Sequence, residues 1–169
     1  MTKTDNNEIL TLEKLVDEEI ERYKEIEKLY TDKKEILISG KSSDLLNIDS
    51  QILNTFRNIN NIALKRISSL EKLEIQNPSM SAIIDFVKDK DISIAKRFEE
   101  KKNHLGNISE NIKKLEKVNL DLTKHGINFT NKTLEIILKG AAVSTTEYNQ
   151  RGQNISGENL EMSSIIEEA

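Results

Sequence analysis

The sequence predicts an all-α protein: an elongated antiparallel helical hairpin, a longer third helix that joins it in a coiled-coil-like bundle, and a disordered acidic C-terminal tail. Three observations carry that expectation. One proline and six glycines in 169 residues leave too little punctuation for a sheet fold, so the elements must be long. Apolar residues make up 36% and charged residues 32%, with no tryptophan, which suits helices that bury one narrow seam and expose the rest. Apolar residues also recur at sevens, most clearly at Ile108, Leu115, Leu122, Phe129 and Ile136, with Phe98, Leu105 and Ile112 as the companion series. These read as the d and a positions of a heptad.

The first helix is expected over residues 5–39. Asp5 is a candidate N-cap with Glu8 three residues on. Ile9, Val16, Tyr23, Tyr30 and Leu37 follow at sevens, flanked by Leu12 and Ile26, and Gly40 supplies a left-handed stop. Lys41, Ser42 and Ser43 make a connection short enough to force an antiparallel neighbour, with Ser43 as its cap. That second helix is expected over 44–76, with Leu45, Ile52, Phe56, Ile59, Ala63, Ile67 and Leu70 as its apolar face.

Asn77-Pro78 ends the second helix, and a short apolar helix over 79–88 is expected to pack across the bundle end. Asp89 or Asp91 then opens the long helix over 91–140. Gly106 and Gly126 each cost an uninterrupted helix about 1 kcal/mol relative to alanine. Leu105 to Ile112 and Leu122 to Phe129 nevertheless hold the heptad phase across both glycines, which favours a continuous helix. The competing expectation is that Gly126 lets the chain fold back into a fourth bundle helix. Residues 1–140 thus form the bundle, and 141–169 a flexible tail with a docking segment.

The lengths do not match. A helix of about 50 residues spans roughly 75 Å, against roughly 50 Å for each hairpin arm. About a third of it should therefore lack a partner from the hairpin, leaving Phe129, Leu134, Ile136, Ile137 and Leu138 in water. An apolar stripe of that kind marks an interaction surface, to be covered by a second copy, the tail or a client helix.

Residues 1–40 carry 7 basic and 11 acidic side chains, whereas 88–118 carry 9 basic and 6 acidic. Phe98 is the one aromatic residue in the basic block, so pairing with the acidic first helix explains it better than nucleic acid does. The chain has no cysteine. The opening residues lack the apolar stretch of a secretion signal, and no apolar run approaches the length of a membrane span. The expected location is the cytoplasm, without membrane insertion. No phosphate-binding glycine loop or nucleophile elbow occurs. Glu100 with His104 and Asp121 with His125 lie four apart on the helix rim, where surface ion pairing is the ordinary reading. Neither a catalytic site, a cofactor nor a metal site is expected. Asn119 occupies an a position, where a buried asparagine fixes helix register and a wet seam is the plain alternative. Tyr148 lies beyond the seam in a polar stretch, either as an ordinary loop aromatic or as a docking anchor.

The order of features resembles the flagellar export chaperone family FlgN over about residues 8–152. The resemblance rests on Glu116-Lys117-Val118-Asn119-Leu120-Asp121-Leu122, Leu134-Glu135-Ile136-Ile137-Leu138 and Tyr148-Asn149-Gln150-Arg151-Gly152. It implies a non-enzymatic cytosolic chaperone that binds the C-terminal helical segment of hook-associated (hook–filament junction) proteins. Such a chaperone prevents premature assembly and brings its client to the type III export gate. By position it implies client binding at Leu122, Phe129, Leu134, Ile137 and Leu138, and gate docking at Tyr148. The acidic tail is less typical of the family. The rival reading is a structural coiled-coil homodimer or scaffold with no client, and a homodimer in the client-free state also stays open.

Overall fold

The computed structural model describes residues 3–144, with side chains from Asn6 to Gly140. Among these residues it is all-α, in the order α1 (Lys3–Ser39), a 3-10 turn (Ser42–Asp44), α2 (Leu45–Lys72), α3 (Met80–Lys88) and α4 (Ile92–Ser144). The chain divides into two compact units, residues 1–123 and 124–169, so the division falls within α4.

In the first unit the ion pairs report the topology. Glu8 meets Lys72 at 3.1 Å, Glu19 meets Arg66 at 3.2 Å and Lys33 meets Asp49 at 2.6 Å. The α2 partner falls as the α1 partner rises, so α1 and α2 are antiparallel. Between α1 and α4 the offset is constant. Glu13 accepts from Arg97, Asp17 from Lys101 and Glu27 from Asn111, each pair 84 residues apart. The two helices therefore run parallel in a fixed register, and the acidic first helix does meet the basic block.

Apolar burial holds this arrangement. Ile9, Leu12, Val16 and Ile26 of α1 are fully buried, with Leu70 of α2, Ile83 and Val87 of α3, and Phe98 of α4. Each such side chain contributes about 1.5–3 kcal/mol from removed apolar surface. Helix α3 joins the same cluster through Ile83 and Val87, and Lys102 of α4 donates to Ser81 Oγ at 2.9 Å.

The buried seam of α2 overlaps the expected one only in part. Ile48, Thr55, Ile62 and Ser69 form one seven-residue series, and Ile52, Ile59, Arg66 and Leu73 the other. Phe56 and Ile67, expected inside, are exposed. Ile52, Ile59 and Leu70 of the expected face are buried, and counting large apolar side chains missed the polar Thr55, Arg66 and Ser69 that share the seam with them. Arg66 is tolerated there because Glu19, itself buried on α1, lies opposite. Burial pushes the Glu19 carboxyl above its ordinary value, and the Arg66 charge only partly offsets this.

The helix ends follow local chemistry. Gly40 takes φ 69° after α1, the left-handed stop a glycine favours. Ser43 does not cap α2: its hydroxyl donates to the Asp44 carboxylate, and the 3-10 turn makes the entry instead. Helix α2 ends at Lys72, short of the expected Gln76. The Ile75 N–H donates to Leu70 C=O and the Glu74 N–H to Glu71 C=O, both at 3.0 Å, with Glu74 at φ 59°. This is a Schellman stop with a non-glycine residue in the left-handed position. Ser79 caps α3 by accepting from Ala82 N–H at 3.2 Å. Asp91 caps α4, accepting from Ser93 N–H at 2.8 Å and Ile94 N–H at 3.3 Å, and those backbone donors hold its carboxyl below the usual range. Helix α4 passes through Gly106 and Gly126 without a break and continues four residues beyond Gly140.

The left-handed residue gives a direct test. Glu74→Gly removes the Cβ clash at φ 59° and should stabilise the protein by about 0.5–1 kcal/mol, read as a raised urea midpoint. An unchanged or lowered midpoint would show that Glu74 carries no backbone strain.

Candidate functional site

On α4 the heptad seam is buried or half-buried at Phe98, Leu105, Ile108, Ile112, Leu115, Asn119 and Leu122. Asn119 is 3% exposed. Its Nδ2 donates to the backbone C=O of Tyr30 at 2.9 Å, while Oδ1 has no hydrogen-bond partner. A buried amide half satisfied in this way costs stability, and it ties one residue of α4 to one residue of α1. Burial raises the Tyr30 hydroxyl's pKa, and the negative charges of Glu116 and Asp49 push it the same way.

From Lys124 to Gly140 every residue is exposed. Phe129 is 73% exposed, Ile136 71%, Ile137 60%, Ile127 56%, Leu134 51% and Leu138 48%. Of the five residues expected at a client site, four therefore lie on this stretch in water, while Leu122 is half-buried in the first unit. Tyr148 lies outside the described residues.

At 3.6 residues per turn the six large apolar side chains spread over about 200° of the helix circumference. Phe129 and Ile136 form one flank, Ile127, Leu134 and Leu138 the other, and Ile137 lies between them beside Gly126. Thr130 and Thr133 fall inside the same arc. Their hydroxyls donate to Gly126 C=O at 3.0 Å and Phe129 C=O at 2.9 Å, so their hydroxyl protons are spent within the helix. No charged residue lies in the arc. Asn128, Asn131, Lys132, Glu135 and Lys139 occupy the opposite side, with Glu135 and Lys139 paired. The heptad reading found the Phe129–Ile136 flank and missed Ile127. The signal was present, since Ile127 and Leu134 are a second pair at seven.

The histidines stand outside this surface chemistry: His104 and His125 are both exposed. Among the described residues no group of three or more His, Asp or Glu is placed to hold a metal ion. No helix among them is long and apolar enough to cross a membrane.

The exposed stretch of α4 thus carries a wide, uncharged apolar arc of the kind that suits a partner helix. The comparison with protein families gives that surface a place: the family model described as FlgN protein matches residues 1–155. The chain belongs to the FlgN family of flagellar export chaperones, a chaperone family and not an enzyme family. No curated protein and no solved structure matches the chain.

The half-satisfied amide yields a prediction. Asn119→Leu removes the unpartnered Oδ1 from the seam and should raise stability by about 1 kcal/mol, measured by chemical denaturation. A clear loss of stability would mean that the bond to Tyr30 outweighs the orphaned oxygen.

Proposed function

We propose that this chaperone acts in the cytoplasm and holds the C-terminal helical segment of a hook-associated, hook–filament junction protein on the apolar arc of α4. Leu122 stands at the near edge of this surface, and Phe129, Leu134, Ile137 and Leu138 supply its anchors. Covering the client's assembly helix prevents premature self-association, and the loaded chaperone then carries it to the export gate, where Tyr148 docks. Asn119 sets the register of α4 on α1 and so fixes where the binding stretch begins. The observation that carries the reading is the exposure of six large apolar side chains within one uncharged arc, on a chain of an export-chaperone family. A patch of that size in water is stabilised by helix-in-groove binding.

The competing reading is a coiled-coil homodimer, supported by Phe129 and Ile136 standing at heptad spacing in water. Light scattering separates the two: an obligate dimer indifferent to junction segments supports the scaffold. For the client surface, Phe129→Asp with Ile137→Asp should weaken binding of a junction-protein C-terminal segment roughly 100-fold or more in calorimetry. Unchanged affinity would remove the client from this surface. For the docking residue, Tyr148→Ala should weaken gate binding while client affinity holds, and equal gate affinity would remove that role.

A further inference from the structure

A two-stranded coiled coil buries a narrow seam on each helix, and even a core-facing helix of a globular bundle needs a stripe only a little over 100° wide. The arc on residues 126–140 is about 200° wide by the same helical geometry. One helix seated centrally reaches Ile137 and the inner edges of Phe129 and Leu134, and leaves Ile136, Ile127 and Leu138 in water. Seated on either flank, it leaves the other flank open. A second copy of this chain related by a two-fold axis offers one α4 helix to each arc and meets the same limit. The chain's residues 145–169 carry Ile155, Leu160, Met162, Ile165 and Ile166, a single short run of aliphatic side chains that suits one flank.

We propose that the client engages this chaperone with two helices, one on the Phe129–Ile136 flank and one on the Ile127–Leu134–Leu138 flank. This inference rests on reading the arc as the client-binding region. The middle of the arc suits such a clasp. Gly126 has no atoms within 4 Å of where a Cβ would stand, and Thr130 and Thr133 spend their hydroxyl protons inside the helix, so two partner helices can approach closely along the line through Ile137. Lys132 borders the Phe129–Ile136 flank and Asn131 the Leu138 flank, while Glu135 stands as near the Leu138 side as Lys139 does the Ile136 side and the two are paired with each other. The client segment is thus a pair of amphipathic helices, and a single amphipathic peptide is an incomplete ligand.

The chain has no cysteine, so single cysteines report each flank without background. Ile136→Cys and Leu134→Cys variants of the full chain are labelled with a maleimide, free and saturated with a purified junction-protein C-terminal segment long enough for two helices. Both cysteines should react about tenfold slower or less in the complex, and neither should be protected in the free chain. Protection of one flank alone would overturn the two-helix clasp while leaving the client on this surface. Binding with neither flank protected, or no binding, would overturn the client reading itself and the clasp with it. Protection in the free chain that grows with concentration would assign the flank to a second copy. Protection independent of concentration would assign it to residues 145–169, and either result would overturn the proposal.

Discussion

The parallel register of α4 on α1 is the constraint from which the rest follows. Three side-chain pairs share one offset of 84 residues, a whole number of heptads, so the seam of each helix stays in phase with the other along the bundle. Eighty-four residues on from Ser39, the last residue of α1, is Thr123, where the first compact unit ends. Beyond that point α1 has no residue left to offer. These surface pairs themselves contribute little and report the register more than they enforce it. Enforcement comes from Ile9, Leu12, Val16 and Ile26 packing in one cluster with Phe98, Ile108 and Ile112, because sliding α4 would put large side chains against the wrong neighbours.

Two polar sites within the bundle are incompletely compensated for their burial. Glu19 and Arg66 oppose each other across α1 and α2, and the raised carboxyl of Glu19 shows that burial outweighs the attraction of its partner. A carboxyl shifted in that direction contributes stability below its ordinary value, and the contribution is lost as pH rises through the shifted one. Asn119 repeats the pattern between α4 and α1, with one amide bond made and one carbonyl oxygen left over.

Much of this was legible in the sequence because long helices write their periodicity plainly. The heptad series on α4 gave the seam, and the phase across Gly106 and Gly126 gave a continuous helix. The α2 seam was legible only at Ile52, Ile59 and Leu70, because Thr55, Arg66 and Ser69 share it while Phe56 and Ile67 sit one step aside. An arginine reads as surface until its buried partner is known. The end of α2 was hidden for a related reason, since Glu74 takes a conformation that sequence rules reserve for glycine. At the exposed stretch the length mismatch pointed to Phe129, Leu134, Ile136, Ile137 and Leu138, and Ile127 alone of the six was missed. The width of the arc emerged only when all of residues 124–140 proved exposed together.

The central claim is that residues up to about Thr123 form a closed bundle while the stretch beyond offers the surface that a client covers. Hydrogen exchange of the full chain, alone and with a saturating junction-protein segment, tests it most directly. Amides of residues 124–144 should exchange quickly in the free protein and slow markedly in the complex, while those in 9–37 and 94–119 stay slow and unchanged. Protection gained mainly within α1 or α2, with residues 124–144 unaffected, would contradict the account.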